Sequence, residues 1–509
     1  MEKELIYRLS NPGYTLYHRA ALGGLAATIR AWGTNPPDGI TAEVTRERVR
    51  LAWSEQMTDQ EALRRILEAS FKLTADRLID LPGHGIKAGQ DDLRLAIHNG
   101  ITGTFLQHTQ ARSAEKEVSR FELRTDDDVS EIFTYKALHN YAHQTAKGTE
   151  LLDKKYKGCF PSITSIPQSV VPGAMEGRRK LQAPAEEVIL LLFLMVGSAI
   201  FLLRPRTYQD KAQYCVIVPD VIDLELFARH LHRIAATEPS IKRFSNSYLG
   251  RVVGGAEEAA LRFLIDLKAE DITSERSVAG CLAVAMRKVA WVERQTSRSV
   301  IVKLKSDYPE MDVFHAAETY LSKARVFKSQ KGEGYARPTS WVPELVAANL
   351  AAERHWCAHF ADLVKDKKDF DRMHFVQGGL KAMNEAIKDA DDQVIIRAFH
   401  EAWRLTMRAI YERARRDKLN DSRLIEVERE RMRNAILRAK TADALAGWFL
   451  RFCADATKGG ALGALREDGL RLRKFIFNPR NFDRFQNLCL FALVSYASEG
   501  AKTAAEGEE

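Results

Sequence analysis

Three consecutive carboxylates, Asp126–Asp128, are one group in this 509-residue sequence that could hold a metal ion. Carboxylate oxygens are ligands that Mg²⁺ prefers, so this group is a candidate centre for metal-dependent chemistry. The run Thr125–Glu131 also has the pattern of a helix start, with acids at the positive end of the helix dipole. Because a catalytic centre needs further ligands from elsewhere in the chain, we favour the helix start.

His355, Cys357 and His359 form the nearest pattern to a transition-metal site. On a helix the two histidines share a face and the cysteine points away from both. A zinc site needs about four converging ligands, so the pattern favours an ordinary helix. The six cysteines form no CxxC pair, which indicates reduced, mostly buried thiols and no metal cofactor.

The sequence also lacks the common catalytic motifs. It contains no Walker loop, no HExxH and no GxSxG. Gly332 and Gly334 form a lone GxG that follows a predicted helix rather than a strand, which makes it a poor dinucleotide site. We therefore expect a protein that is not an enzyme and carries no cofactor.

Long polar loops that mix cations, aromatics and glycines give a stronger signal. The loops are 82–92, 154–180, 241–251 and 327–340. Cations bind phosphates, Asn and Ser side chains read base edges, and aromatic rings wedge between bases. Each loop alone could be a solvated turn, but several of them in one basic chain favour nucleic acid.

A basic band lies further along the chain. Twelve Lys or Arg residues stand against six acids between Arg404 and Lys440. Arg404, Arg408, Tyr411 and Arg415 recur at the spacing of one helix face, so they predict a stripe. The alternative is a solvated face whose cations pair with neighbouring glutamates.

Loop composition and the stripe together give a set of candidate nucleic-acid contacts. These are Lys87, Lys154, Lys155, Lys157, Gln168, Arg178, Arg179, Lys180, Lys242, Arg243, Phe244, Asn246, Ser247, Tyr248, Arg404, Arg408, Arg415, Arg416, Arg431 and Arg433. Asn246 is the first candidate for reading a short base motif, because its amide suits a base edge and Phe244 and Tyr248 flank it. Lys87 is the second candidate and Gln168 the third.

The bulk properties agree with this interpretation. The net charge is +8, which favours polyanionic partners because each cation on a phosphate releases counterions. The apolar run Val188–Leu203 is shorter than the roughly 20 residues of a membrane span. We interpret it as a buried helix to about Met195 followed by a strand around Ala199–Leu203. The first residues are charged rather than apolar, so we expect a soluble cytoplasmic protein.

Hydrophobic periodicity predicts an α+β fold. Residues 1–340 form a mixed α/β region with long basic loops, and residues 341–509 form an all-α helical bundle. The N-terminal elements expected are a hairpin in 40–53, helices in 58–73, 224–235 and 315–327, a strand in 215–220, and a hairpin of 288–295 with 299–305. The helix 58–73 has Thr58 as its cap and Glu61 in a capping box. The stretch 327–340 is the best linker candidate.

Four blocks of sequence resemble a known family. YRLSNPGYTLYHRAALGGLAATIRAW (7–32), GTFLQH (103–108), VPGAMEGRR (171–179) and LLLFLMVGSAIFLLR (190–204) resemble the large subunit of a type I CRISPR Cascade, of the Myxan or I-B-like branch. The resemblance touches roughly the first 250 residues, and the helical C-terminal third fits the family's architecture. The blocks are distinctive strings rather than catalytic motifs.

This resemblance implies a role and a set of partners. Such a subunit recognises the short motif beside the target (the PAM), helps to open duplex DNA and contacts the 5′ handle of the guide RNA. It works with the other Cascade subunits and helps to recruit a helicase-nuclease, or transposition machinery in related branches. The protein reads a short motif and shape while base pairing reads the remaining sequence.

The C-terminal bundle resembles the separate small subunit of such complexes, and related systems make that subunit from an internal start. The codons of Gly378 and Gly379 can form a ribosome-binding sequence ahead of Met383. We therefore expect a second product of residues 383–509, beginning where a new helix starts. Met373 is the next candidate start.

Two other classes of function remain open. One is a stand-alone nucleic-acid enzyme with a metal site around Asp126–Asp128, which divalent-metal-dependent cleavage by the purified chain would support. The other is a protein-only assembly scaffold, which salt-independent assembly would support.

Overall fold

A computed structural model describes residues 2–106, 112–124, 130–144, 184–203, 213–236, 254–268, 276–286, 300–322, 324–328, 334–458 and 460–496. The predicted α+β class is confirmed, with mixed strands and helices followed by an all-helical region. The chain divides into two compact units. Unit 1 comprises Met1–Asp307 and Val326–Arg337, and unit 2 comprises Tyr308–Arg325 and Pro338–Glu509.

The strands are β1 (Glu2–Arg8), β2 (Ile40–Val44), β3 (Arg48–Ser54), β4 (Lys72–Leu73), β5 (Ile79–Asp80), β6 (Arg112–Ala114), β7 (Ser119–Arg124), β8 (Ser130–Tyr135), β9 (Leu138–Tyr141), β10 (Ala199–Leu203), β11 (Gln213–Val221), β12 (Val278–Met286), β13 (Val300–Lys305), β14 (Ala324–Lys328) and β15 (Gly334–Pro338).

The helices are α1 (Leu16–Trp32), α2 (Asp59–Ser70), α3 (Asp91–Gly103), α4 (Ala185–Leu191), α5 (Leu194–Gly197), α6 (Leu224–Ala236), α7 (Ala256–Lys268), α8 (Met311–Leu321), α9 (Val342–Ala351), α10 (Phe360–Val364), α11 (Lys367–Arg372), α12 (Gln377–Ala386), α13 (Ala390–Asp417), α14 (Asp421–Arg438), α15 (Ala442–Thr457), α16 (Gly463–Ile476) and α17 (Phe482–Ser495).

Unit 1 is built on two antiparallel sheets. The first has the order β1-β3-β2, and its β2–β3 hairpin confirms the one predicted in 40–53. The second has the order β10-β11-β12-β13, with β11 and β12 at its centre. Helix α1 packs on β11, α5 and α6. Helix α1 is buried over most of its length, because its small residues allow neighbouring elements to pack closely. It is therefore the core element against which β11, α5 and α6 pack.

The apolar run Val188–Leu203 folds as the sequence predicts. It forms α4, α5 and then β10, and it lies in the core because neighbouring elements surround it. In the part of the chain that the structure describes, no helix is both long enough and apolar enough to cross a bilayer.

Helix α2 begins as predicted, but only half of its capping box forms. The hydroxyl of Thr58 accepts a hydrogen bond from the backbone N–H of Glu61 at 3.1 Å. The carboxylate of Glu61 accepts instead from the side chains of Arg64 and Arg65, at 2.7 Å from each. These hydrogen bonds lower the pKa of Glu61 to about 2.

Three other sequence predictions need correction. The helix start expected over Thr125–Glu131 is wrong at Ser130 and Glu131, because Ser130–Tyr135 is strand β8 paired with β7, whereas 125–129 lie outside the described residues. The helix expected to Phe327 ends at Leu321, and β14 follows it. The partner of β13 is β12, whereas the strand predicted in 288–295 lies outside the described residues.

Unit 2 is a bundle around the 28-residue helix α13 and the core helix α17. Helix α17 is buried from Leu488 to Ser495, as expected for a helix that is apolar on nearly all sides. Helix α13 packs against α14, α15, α16 and α17. Breaks predicted near Lys418–Asn420 and Lys458–Gly463 fall between successive helices.

Asp392 ties the start of α13 to two other parts of unit 2. Its fully buried carboxylate accepts hydrogen bonds from Trp356 Nε1 at 2.9 Å and from both Nε and Nη2 of Arg484, and it lies 2.9 Å from His355 Nε2. Burial alone would raise the pKa of Asp392, but His355, Arg484 and Trp356 together lower it. The network fixes where α13 begins relative to α17.

Met383 does not stand at the start of a helix. It lies buried inside α12, which begins at Gln377, and the next helix begins at Ala390. The expectation that a product starting at Met383 cuts no helix is therefore wrong. The sequence misled because Gly378 and Gly379 suggested a break, whereas both glycines are helical here.

Candidate nucleic-acid interface

Helix α13 positions the predicted basic stripe. Asp389 caps the helix by accepting from the backbone N–H groups of Asp391 and Asp392, at 2.9 and 3.0 Å. One face buries Ile395, Phe399 and other apolar residues against the bundle. Packing of that face leaves the opposite face in solvent, where charged side chains remain hydrated.

Four residues of the exposed face form what we call the α13 stripe: Arg404, Arg408, Tyr411 and Arg415. Arg408 donates to Glu412 at 3.1 Å, yet its side chain stays 77% exposed. Arg404 and Arg415 make no ion pair with another described residue. The stripe therefore presents cations that are available to an anionic partner.

The other cations predicted in this region differ in their surroundings. Arg416 pairs with Asp417 at 2.9 Å and Arg431 with Glu428 at 2.6 Å, and both arginines stay exposed. Arg433 is only 5% exposed. Its guanidinium lies 5.1 Å from the centre of the Phe370 ring, so it packs inside the bundle and we remove it from the candidate surface.

A groove of about 480 Å³ lies beside the stripe in unit 2, and we call it the aromatic groove. Tyr411 of the stripe lines it. It is also lined by Asp371, His374, Phe375, Gln377, Ser422, Glu426 and Arg429. Sequence reasoning missed this groove, because Phe375, Tyr411 and Arg429 come together only through tertiary packing.

A second groove of about 710 Å³ is more polar, and we call it the polar groove. Its walls include Arg397, Arg404 and Arg471. Arg397 pairs with Asp468 at 2.7 Å and Arg471 with Asp391 at 3.0 Å. Arg404 is therefore the cation of this groove that lacks an ion pair to a described residue, and Tyr496 lines both grooves.

In unit 1, the structure describes one predicted contact, Lys87. It is exposed on a turn that is held in place by Gln90. The side chain of Gln90 accepts from the Lys87 backbone N–H at 2.8 Å and donates to the carbonyl of Ala235 at 3.0 Å. Gly85, in the left-handed region with φ 68°, packs its backbone against His232. Because the turn is held in place, its exposed cation lies at a fixed position, which suits a contact with an anionic partner.

The remaining predicted contacts lie outside the described residues. They are Lys154, Lys155, Lys157, Gln168, Arg178, Arg179, Lys180, Lys242, Arg243, Phe244, Asn246, Ser247 and Tyr248. Asp126–Asp128 lie outside them as well. These predictions stay predictions.

The His355–His359 segment is not the helix that we expected. The segment is a turn in which the Asn349 side chain donates to the carbonyls of Trp356 and Ala358. His359 has φ 61°, and His355 is engaged with Asp392. Within the described ranges, no group of three or more His, Cys, Asp or Glu side chains could hold a metal ion.

The described cysteines are free and buried. Burial raises the pKa of each thiol, to about 12 for Cys453. A thiol of that kind stays protonated near neutral pH, so these cysteines are unsuited to nucleophilic chemistry. Cys159 lies outside the described residues.

Fold and surface together define an α+β protein of two units, whose helical unit presents a cationic helix face next to an aromatic groove. Comparison with known proteins shows which domain families the chain resembles. Residues 6–192 match the DevT N-terminal domain, and residues 383–509 match the DevT C-terminal domain.

The chain is also similar over nearly its whole length to a known protein. It is 27% identical over 544 aligned positions to CRISPR-associated protein Cas8a1/Csx13 of Myxococcus xanthus (strain DK1622), covering 98% of this chain and 90% of that protein. The full-length similarity and the two domain matches support a CRISPR-associated, large-subunit-like protein.

Proposed function

We propose that the chain is the non-catalytic large subunit of an RNA-guided CRISPR surveillance complex, a Cascade of the I-B-like branch. In this role it recognises the PAM, helps to open duplex DNA, contacts the 5′ handle of the guide RNA and recruits the helicase-nuclease. The observation that carries the proposal is the similarity to Cas8a1/Csx13 along 98% of the chain. The proposed partners are guide RNA, target duplex, displaced strand and the other Cascade subunits, in the cytoplasm.

The α13 stripe gives the proposal a physical basis. Arg404, Arg408 and Arg415 lie on one exposed helix face, where they can contact successive phosphates. Each such contact releases condensed counterions, so binding falls as salt rises. Contacts of this kind position a strand but carry no base information.

We assign motif reading to Asn246, Lys87 or Gln168, of which the structure describes Lys87. Asn246 is the first candidate, because its amide suits a base edge, and one good contact of this kind gives roughly 1–3 kcal/mol of discrimination. Lys87 and Gln168 follow it. Asn246→Ala should weaken binding to the matched motif more than to a mismatched one. An equal loss for both motifs would reassign the loop to backbone positioning.

The central test is binding of target DNA by the assembled complex over a range of salt concentrations. Replacing Arg404 and Arg408 together by Glu should weaken binding to matched and mismatched motifs alike. It should also reduce the log–log salt slope by about 0.9 for each duplex phosphate that the variant no longer neutralises. The control pair Arg451→Glu with Arg466→Glu changes charge equally on α15 and α16, and should stay near wild type. A flat salt dependence for the wild type would contradict the proposal.

Absence of catalysis is tested separately. Purified protein with Mg²⁺ or Mn²⁺ should leave DNA and RNA intact. Cleavage that disappears in Asp126→Ala or Asp127→Ala protein would replace this proposal with a metal-dependent enzyme.

A further inference from the structure

Phe375 is the most exposed of the large apolar side chains that the structure describes. It is 85% exposed, in a short 3₁₀ turn at Met373–Val376 just before α12. A single exposed ring is common on protein surfaces, so what matters here is that Phe375 lines a groove together with other groups. Tyr411, 40% exposed, lines the same groove from α13. The aromatic groove therefore offers two rings to a partner.

A cation lies in the same groove with unused hydrogen-bonding capacity. Arg429 makes no ion pair with a described carboxylate within 4.0 Å. Its contacts are a hydrogen bond to His374 Nδ1 at 3.3 Å and the Phe370 ring, 5.7 Å from its guanidinium carbon. Burial lowers the pKa of Arg429, but a guanidinium remains charged in proteins. Asp371 and Glu426 also line the groove, so one arginine stands against two carboxylates and the formal charge of the groove is −1. Arg429 therefore suits the uncharged edge of a base better than a phosphate.

The groove has the size and polarity of a small-ligand site. Its volume of about 480 Å³ lies within the roughly 300–1,000 Å³ that such sites occupy. The amide of Gln377 and the hydroxyl of Ser422 add hydrogen-bonding groups to the aromatic walls. An apolar side chain from a partner protein would contact the rings. It would form no hydrogen bonds with Gln377, Ser422 or Arg429.

We propose that the aromatic groove binds an unpaired nucleotide of a single strand, with its base against Phe375 and Tyr411 and the polar edge of that base on Arg429. The proposal rests on the proposed function and names the form of nucleic acid that this surface takes. The base faces of a duplex are covered by neighbouring base pairs, so only an unstacked base can meet these rings. Tyr411 belongs to both the groove and the α13 stripe, and the stripe's arginines lead the strand's phosphates to the site.

The test measures binding of a fluorescent single strand and of the matching duplex to the full-length chain, by anisotropy at fixed salt. Phe375→Ala should weaken single-strand binding by roughly 5- to 150-fold, the usual effect of one base–aromatic stack, and leave duplex binding nearly unchanged. Phe477→Ala is the matched control, because Phe477 is also exposed, at 44%, but does not line the groove. Phe375 is so exposed that its removal should leave thermal unfolding unchanged.

Two further variants test whether Phe375 stacks on a base or only provides apolar surface. Phe375→Trp keeps an aromatic face and should retain single-strand affinity. Phe375→Leu keeps an apolar surface without a stacking face and should behave like Phe375→Ala. A Phe375→Leu variant that binds the single strand as tightly as the wild type, or equal losses for single strand and duplex, would overturn the proposal.

The outcome distinguishes this inference from the proposed function. If Arg404→Glu with Arg408→Glu weakens DNA binding by the assembled complex but Phe375→Ala leaves single-strand binding intact, the groove proposal alone fails. If the assembled complex binds no target DNA, the proposed function fails. Wild-type chain that shows no single-strand binding at low salt also rejects the groove proposal.

Discussion

His98 lies fully buried on α3, where both ring nitrogens contact the backbone. Nδ1 accepts a hydrogen bond from the N–H of Ile79 at 3.1 Å, and Nε2 lies 3.0 Å from the carbonyl oxygen of Lys136. Only the neutral tautomer with its proton on Nε2 satisfies both partners. Burial lowers the pKa of His98 to about 4, so the surroundings hold it in this form.

His98 should make unit 1 less stable in acid. The unfolded chain takes up the histidine proton near pH 6.5, whereas the folded chain takes it up only near 4. Stability from the neutral ring is therefore complete above about 6.5 and is lost as the pH falls between these values. His98→Gln keeps an acceptor and a donor but does not titrate. It should reduce the pH dependence of the unfolding free energy in this window by up to about one proton.

Urea unfolding at several pH values checks this prediction. If His98→Gln unfolds with an unchanged slope against pH, the native state does not hold His98 neutral.

Single residues also show what one sequence can predict about a surface. The exposure of Arg404, Arg408 and Arg415 follows from the period of their own helix. The burial of Arg433 does not, because it depends on Phe370 from another helix. The exposure of Phe375 cannot be predicted for the same reason, because it depends on how other parts of the chain pack around it.

At the scale of elements, α1 and α5 meet through glycines. A Cβ on Gly24 would overlap the carbonyl oxygen of Phe193, and a Cβ on Gly197 would overlap that of Ala20. Gly24 and Gly197 belong to the blocks 7–32 and 190–204 that resemble the CRISPR large subunit. Close backbone contact leaves no room for a side chain at either position, so both positions need glycine.

Substitution at this contact should destabilise the fold. Gly197→Ala forces the α1 and α5 backbones apart, and overpacking of this kind costs about 1–3 kcal/mol. Gly447→Ala is the control, because Gly447 is also helical but has no atom within 4 Å of the place that a Cβ would occupy. It should be neutral or stabilise by up to about 1 kcal/mol through helix propensity. Thermal unfolding that is equal in both variants would contradict the glycine contact.

Helices and strands were predictable where the hydrophobic pattern had a clear period. The prediction failed where a local capping signal pointed to a different structure. The hairpin β2–β3 and the helices of unit 2 follow from their periods. The acids of Thr125–Glu131 suggest a helix start, although the aromatic and β-branched residues of Ser130–Tyr135 favour a strand. Tertiary pairing with β7 decided the outcome.

At the scale of the whole molecule, the two units are not consecutive in the chain. Unit 2 takes in Tyr308–Arg325, so α8 lies with the C-terminal helices rather than before a linker. Helix α8 packs against α12, which contains Met383. Strand β15 lies within the stretch 327–340 that the sequence suggested as a linker. Such an arrangement cannot be inferred from composition along the chain.

An internal start at Met383 remains our prediction for this gene. The residues that match the DevT C-terminal domain, 383–509, are those of the expected product, and they contain helices α13–α17 complete. Such a product would keep only the end of α12 and lose its packing on α8, so the buried face that includes Met383 would become exposed. That face would need cover from another subunit, and we expect the short product to be found in the assembled complex rather than alone.

Expression of the intact gene with a C-terminal tag tests this expectation. The native gene should give the full-length protein and a second tagged product of 127 residues, the length from Met383 to Glu509. Synonymous recoding of the Gly378 and Gly379 codons should remove the short product and leave the long one, because it changes only the messenger. Recoding the codons of Gly447 and Gly469 is the control and should leave both products. A native gene that yields only the full-length protein would exclude an internal start, and a short product that begins at Met373 would move it.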